Sequence, residues 1–106
     1  MKLKTADNVS FYDFIRAFNQ AYSDYYTNIV LNERSMNGLI IRDAIDLSAS
    51  VAAVIDDRIV GVAMLAIRGN LGWIGGVGVV PSDRGNGIGR AMMNYLLDMA
   101  RKRKLE

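Results

Sequence analysis

The feature that most constrains the fold is the run Val77–Arg90, where an apolar strand pattern gives way to a glycine-rich loop and a helical pattern. Pro81 ends the strand because proline cannot donate to a ladder. The glycines that follow are Gly85, Gly87 and Gly89. A strand, a flexible loop and a first helical turn together direct several backbone N–H groups and the positive end of a helix dipole at one place. The run therefore predicts a site for a phosphate or pyrophosphate group.

The composition of the chain limits the functions that it can have. The chain has 106 residues, which suits one small domain, and 51% of them are hydrophobic, so it can bury a core. A net charge of +2 gives little basis for nucleic-acid binding. Cysteine and histidine are both absent, which excludes disulfides and the commonest catalytic bases and metal ligands. With no signal-peptide pattern and no apolar run near the ~18 residues of a membrane span, we expect a cytoplasmic protein without metal, nucleic-acid or membrane partners.

The N-terminal part of the chain predicts a short edge strand over Lys2–Thr5 and two amphipathic helices. Asp7 or Asn8 is the expected cap of the first helix, which should end around Tyr25 to Asn28. Asn32 is the expected cap of the second. The apolar positions of the two helices are Phe11, Phe14, Ile15, Phe18 and Tyr22 in the first, and Met36, Leu39, Ile40 and Ala44 in the second.

The rest of the chain predicts three strands, over Ser50–Ile55, Ile59–Ile67 and Leu71–Val80, separated by short turns. Such strands can form an antiparallel meander. Their nearly continuous apolar runs indicate a sheet covered on both faces, with the two N-terminal helices on one of them. A final helix follows the glycine loop. The basic run 101–104 is interpreted as the solvated end of that helix, where cations suit the dipole, in preference to a contact with nucleic acid or with a ligand phosphate.

The third strand carries an unusual number of glycines, namely Gly72, Gly75, Gly76 and Gly78. Glycine weakens a strand interior, so the pattern indicates either a bulged, closely packed strand or the near approach of a ligand. A bulge would also splay the strand from its neighbour and leave backbone groups unpaired, which an extended ligand can use.

Two other phosphate-binding motifs do not fit the loop. A dinucleotide fingerprint requires G-x-G-x-x-G, whereas the spacing here is Gly85-x-Gly87-x-Gly89. A P-loop requires lysine and then serine or threonine after its last glycine, but Gly89 is followed by Arg90 and Ala91.

The whole pattern resembles the GNAT superfamily of N-acetyltransferases. The spacing Arg84-x-x-Gly87-x-Gly89 is similar to the acyl-CoA signature of that family, and the order of helices, meander, glycine loop and helix is similar to the first part of its fold. The resemblance covers roughly the entire chain. It implies an α+β (α/β) fold, with residues 1–106 forming a single partial N-acetyltransferase domain.

The resemblance also implies a site and a reaction. Acetyl-CoA would be the co-substrate, and an amine would attack its thioester carbonyl directly, with no covalent enzyme intermediate. The backbone of Val77, Gly78 and Val79 would pair with the pantetheine arm, and an N–H at or near Val79 would polarise the carbonyl. The pyrophosphate would bind to Arg84, Gly85, Asn86, Gly87, Ile88 and Gly89, with Arg90 adding to this on the first helical turn. The catalytic base is not identified, although Asp24, Glu33 and the loop tyrosines are candidates.

The sequence departs from the family pattern after its last helix. A helix that follows a strand in this way normally returns to a parallel strand. Family members continue with that strand, a further helix and usually a hairpin, which complete the cleft. We therefore expect either a piece of a longer protein or a partner chain that supplies the second wall, and slow or absent turnover by this chain alone. The alternative function is a non-enzymatic CoA-binding or assembly module.

Two kinds of partner follow from these patterns. The acceptor would be a small-molecule or peptide amine, and the segment Tyr22–Tyr26 is either the place of acceptor specificity or a tyrosine-rich surface loop. The strand Leu71–Val80 would have one unpaired, apolar and uncharged edge. We therefore expect a homodimer in which two chains join these edges or exchange their C-terminal helices.

Overall fold

The computed structural model describes residues 1–24 and 30–105. Four strands form one antiparallel sheet in the order β1-β2-β3-β4: β1 Lys2–Thr5, β2 Val51–Ile55, β3 Arg58–Arg68 and β4 Leu71–Val79. The helices are α1 Phe11–Ala21, α2 Glu33–Arg42 and α3 Ile88–Lys102, and short 3-10 turns occupy Ala6–Asn8 and Pro81–Asp83. The predicted meander and the edge strand β1 are confirmed, with strand ends within a residue of the prediction.

The beginning of α1 differs from the prediction. Ser10 is the cap, and its hydroxyl oxygen accepts the Asp13 N–H at 3.2 Å. Asp7 and Asn8 lie instead in the preceding 3-10 turn, so the predicted cap was wrong. The helix ends at Ala21, earlier than predicted, and the region where its end was expected lies outside the described residues.

The predicted cap of α2 is confirmed. The Asn32 side chain accepts the Ser35 N–H at 2.9 Å, and the Ser35 hydroxyl accepts the Asn32 N–H at 2.8 Å. This reciprocal pair satisfies two N–H groups that the first turn leaves without a helical partner. The helix ends at Arg42, before Ala44, whose φ of 56° is left-handed.

The sheet is covered on both faces, as predicted. On one face, α1 and α2 contribute Phe14, Ile15, Phe18 and Met36 to a core that also contains Ala52, Val62 and Met64 of the sheet. On the other face, α3 contributes Ile88, Met92 and Leu96 to a second core with Val51, Val60 and Leu65. The sheet is thus held between the two N-terminal helices and the C-terminal helix. The longest described helix, α3, has 15 residues, and no described helix combines the length and hydropathy of a membrane span.

The bulge predicted in the glycine-rich strand is present. Met64 pairs with Gly76 and Leu65 pairs with Ile74, so Gly75 is an extra residue in β4. A bulge bends the strand that carries it and increases its twist. The two halves of β4 on either side of Gly75 therefore run in different directions along the edge of the sheet.

Close packing explains one of the glycines, Gly78, and at Gly75 the end of a neighbouring side chain would have to move to admit a Cβ. A Cβ at Gly75 would lie 2.6 Å from the Ile45 Cδ1, and a Cβ at Gly78 would lie 2.9 Å from the Ala21 Cβ. Both distances are too short for carbon atoms in contact. The end of α1 therefore lies directly on the second half of β4, and this contact requires glycine.

Candidate functional site

The glycine loop connects the end of β4 to the beginning of α3 and faces open space. Gly85 and Gly87 have φ values of 86° and 77°, which are left-handed conformations that favour glycine. Gly89 lies inside the helix. A Cβ placed on Gly85 or Gly87 would meet no atom within 4 Å. The loop therefore has the expected conformation, and nothing among the described residues fills the space beside it.

The first turn of α3 borders the open space beside the glycine loop. Gly87 is the cap residue and provides no side-chain hydrogen bond, and the first turn contains no acidic residue. The N–H groups of Ile88, Gly89 and Arg90 belong to the turn that has no helical acceptors. Arg90 places a cation at the positive end of the helix dipole, an arrangement that favours a bound anion. The site predicted for an anion is thus formed by backbone donors and one cationic side chain.

The remaining polar residues of the loop hold it in place. The Asn86 side-chain amide donates to the Asp83 carbonyl at 3.3 Å. The Asp83 carboxylate accepts a hydrogen bond from Arg58 on β3 at 3.1 Å, and this bond lowers the pKa of Asp83. The single carboxylate of the loop is thereby paired, which reduces its repulsion of an anion.

The second half of β4 presents backbone groups to the open edge. The Val80 N–H donates to the Val60 carbonyl at 2.8 Å, and the register places these two residues opposite each other. Bonded and non-bonded pairs alternate in an antiparallel ladder. The N–H and C=O groups of Val79 and Val77 therefore point away from β3, towards the edge where no strand is paired.

A cavity of about 370 Å³ lies at this edge. Its lining residues are Ala21, Asp24, Val77, Gly78, Val79 and Arg84. The predicted residues of β4 and Arg84 are thus brought together in one cleft, whereas the predicted residues 85–90 of the loop and first helical turn do not line it. The fold places the end of α1 opposite the strand, as the second side of this cleft.

Arg84 makes four hydrogen bonds with described residues of this cleft. Its Nε donates to the Val79 carbonyl at 3.0 Å, and its Nη2 donates to the Ala21 carbonyl at 2.9 Å. The two Nη atoms also donate to the two carboxylate oxygens of Asp24, at 2.6 and 3.1 Å. The positive charge expected to serve an anion is therefore paired with a carboxylate that the sequence pattern did not connect to it.

The ion pair with Arg84 also affects the pKa of Asp24. Hydrogen bonding by Arg84 lowers the pKa of Asp24 and outweighs the opposing effect of desolvation. A general base works best with a pKa near the working pH. Asp24, which was one candidate for the base, is therefore poorly suited to accept a proton from an amine.

The other candidate bases lie elsewhere or outside the described residues. Glu33 lines a larger cavity of about 740 Å³ between α1 and α2, together with Tyr12 and Arg16. Among the described residues, no strand residue lines that cavity, and the α2 N-terminus beside it is already capped by Asn32 and Ser35 and carries the acidic Glu33. We therefore place the functional site at the smaller cleft. The Tyr22 ring packs against Gly78 in the cleft, whereas Tyr25 and Tyr26 lie outside the described residues. Within 1–24 and 30–105, no cluster of three or more carboxylates could hold a metal ion.

Solved structures similar to this chain have the same fold. Rv2747 from Mycobacterium tuberculosis, in complex with CoA and NLQ, has a TM-score of 0.69 and 24% identity over 100% of this chain and 61% of its own. A GNAT family acetyltransferase from Brucella melitensis, in complex with acetyl-CoA, has a TM-score of 0.75 and 18% identity over 95% of this chain and 68% of its own. The ribosomal-protein-alanine N-acetyltransferase from Brucella melitensis has a TM-score of 0.72 and 20% identity over 99% of this chain and 70% of its own.

These similarities establish the fold, and this chain spans 61 to 70% of the length of these three structures. A search of curated protein sequences finds no significant match. The model of the Acetyltransferase (GNAT) family, by contrast, matches residues 11–106, which include the whole of the glycine loop and both sides of the cleft. The chain is therefore a member of the GNAT family of acetyltransferases.

Proposed function

We propose that residues 1–106 form an N-acetyltransferase domain that binds acetyl-CoA along the open end of β4 and transfers the acetyl group to an amine. The observation that carries this proposal is the meeting of two backbone features. Val77 has outward-facing N–H and C=O groups and Val79 an outward-facing N–H, and the glycine loop connects this strand to the uncapped N-terminus of α3. Structures of similar fold in complex with CoA and with acetyl-CoA support the choice of ligand.

Each part of the co-substrate has a matching part of the chain. The amide-containing pantetheine arm would pair with the edge of Val77, Gly78 and Val79 in the manner of an added strand. The pyrophosphate would accept hydrogen bonds at the beginning of α3. The residues proposed to surround it are Gly85, Asn86, Gly87, Ile88, Gly89 and Arg90, with Arg84 on the wall of the cleft.

The proposed reaction is a direct transfer. The amine nitrogen forms a bond to the acetyl carbon, the carbon–sulfur bond breaks, and the CoA sulfur leaves as a thiolate that takes up a proton. The outward-facing Val79 N–H would donate to the carbonyl oxygen as negative charge develops there. One such donor typically lowers a barrier by about 3 to 4 kcal/mol. An amine with a pKa of about 10 must first lose a proton, and ordered water is the acceptor we propose, because Asp24 is paired with Arg84.

Binding and transfer by this chain test the proposal. We expect calorimetry to detect CoA binding, and a thiol-release assay with a panel of small-molecule and peptide amines to detect slow acetyl transfer. CoA binding without any transfer would favour the alternative, a non-enzymatic CoA-binding or assembly module. The absence of CoA binding would contradict both functions. We also propose that the protein acts in the cytoplasm, where acetyl-CoA is available as a metabolite.

The first half of β4 supports a further part of this proposal, pairing between two copies of the chain. β4 is an edge strand, and Leu71, Trp73 and Ile74 are 51%, 41% and 40% exposed. Strand edges without charge tend to pair with another strand. Because α3 buries Met92 and Leu96 against its own sheet, edge pairing is the form we propose, rather than exchange of helices.

We expect light scattering at micromolar concentration to give the mass of a dimer. Ile74→Lys should produce a monomer, because lysine on an edge strand blocks pairing. Ile41→Lys is the matched control, since Ile41 is also exposed, at 79%, but lies on α2. That variant should remain dimeric. A monomeric unmodified chain would refute the dimer.

A further inference from the structure

The position of Arg84 connects three parts of the cleft that are distant in sequence. Its guanidinium bonds to the carbonyl of Ala21 at the end of α1, to the carboxylate of Asp24 just beyond it, and to the carbonyl of Val79 on β4. Arg84 and Asp24 are separated by 60 positions. The side chain therefore spans the cleft from its helical side to its strand side.

We propose that Arg84 is a positioning residue that sets the width of the pantetheine cleft, and that its guanidinium does not bind the pyrophosphate. The proposal rests on the function proposed above and assigns a role within the same site. Asp24 contributes to this positioning, because its carboxylate fixes the orientation of the Arg84 guanidinium. The pyrophosphate is left to the backbone donors of the loop and to Arg90.

The hydrogen bonds of Arg84 support this role. A guanidinium has five N–H donors in a rigid plane, and four of them are committed to Val79, Ala21 and Asp24. A phosphate ligand would have to displace the bidentate carboxylate, which is among the stronger pairings that arginine forms. The Ala21 carbonyl belongs to the last turn of α1, and among residues 1–24 and 30–105 Arg84 is its hydrogen-bond donor.

The contact between α1 and β4 explains why a positioning residue is needed. The helix approaches the strand so closely that a Cβ at Gly78 would lie 2.9 Å from the Ala21 Cβ. This contact stops the helix from moving inwards, but van der Waals contact alone resists outward movement only weakly. Arg84 bonds to both sides and resists that outward movement. The edge of β4 and the end of α1 are thereby kept at a constant distance. The extended pantetheine arm would bind between them.

The substitution Asp24→Asn distinguishes this role from phosphate binding, because the two roles predict opposite changes in ligand affinity. If Arg84 positions the cleft, the substitution weakens CoA binding about tenfold, the effect of losing one charge-assisted hydrogen bond. It should leave unchanged the affinity for adenosine 3′-phosphate 5′-diphosphate, which has the pyrophosphate but lacks the pantetheine arm. If Arg84 binds the pyrophosphate, removing its competing carboxylate strengthens the binding of both ligands. That result in calorimetry would overturn the proposal.

Two further variants complete the experiment. Arg84→Ala should reproduce the pattern of Asp24→Asn, with weaker CoA binding and unchanged nucleotide binding, and an equal loss for both ligands would contradict the proposal. Asp98→Asn is the matched control, because it removes the same charge from the exposed Asp98–Arg101 pair at 2.9 Å on α3. It should change neither affinity. Thermal melts of all variants check the fold.

The two proposals fail in different ways. If the unmodified chain does not bind CoA, the proposed function is wrong and the role of Arg84 falls with it. If the chain binds CoA but Asp24→Asn leaves its affinity unchanged, only the role of Arg84 is wrong.

Discussion

Replacing Gly87 by aspartate is expected to abolish CoA binding. Gly87 caps α3 beside the space proposed for the pyrophosphate, and a Cβ there would meet no atom within 4 Å. The new carboxylate would therefore occupy that space without a steric clash, at the cost of backbone strain from the left-handed φ of 77°. Placing like charges together in an interface costs several kcal/mol. We expect calorimetry to show a loss of affinity of at least about 100-fold.

Gly87→Asn is the matched control for this experiment. Asparagine has the same shape as aspartate and also tolerates a left-handed φ, which is 77° at this position. The two variants therefore share the same backbone strain and differ in charge. We expect Gly87→Asn to retain CoA affinity within about tenfold of the unmodified chain. Equal affinities for the two variants would show that the pyrophosphate does not bind at this helix N-terminus.

Phe14→Ala is expected to produce the largest loss of stability. Phe14 is 1% exposed and lies in the core between α1 and the sheet. Removing a buried phenylalanine ring typically costs about 3 to 5 kcal/mol, because the transfer free energy is lost and a cavity remains. Many domains have a total stability of only about 5 to 15 kcal/mol, so the variant should be close to unfolding. Urea denaturation measures the difference.

Tyr12→Ala provides the comparison on the same helix. Tyr12 is also aromatic but is 66% exposed, so the substitution changes helix propensity by a similar amount without opening a cavity. We expect its effect to remain within about 0.5 kcal/mol. A similar loss for both variants would mean that α1 does not pack on the sheet through Phe14.

Local patterns allowed much of the fold to be predicted from the sequence. The capping pair of Asn32 and Ser35 lies within one helical turn, and β2, β3 and β4 are largely apolar runs between turn residues. The conformations of Gly85 and Gly87 also follow from their immediate neighbours. The cap of α1 could not be assigned in this way, because Asp7, Asn8 and Ser10 are all residues that cap helices. In the structure Ser10 is the cap, and Asp7 and Asn8 lie in the 3-10 turn before it.

The remaining features of the site depend on contacts between distant parts of the chain. The pair between Asp24 and Arg84 joins positions 60 apart, and neither residue carries a local signal of the other. The same is true of Gly78, whose small size reflects contact with Ala21 on α1. Sequence patterns indicated that something must approach this strand closely. They did not show that the end of α1 does so.

The proposed function requires that CoA bind along the end of β4 and at the beginning of α3. The most direct test is a titration of the isotopically labelled chain with CoA, followed by the backbone amide signals in NMR spectra. We predict that the largest shifts occur at Val77, Val79 and residues 85–90, with small changes along α2 and β1. Shifts concentrated instead on Tyr12, Arg16 and Glu33, which line the larger cavity between α1 and α2, would contradict the account.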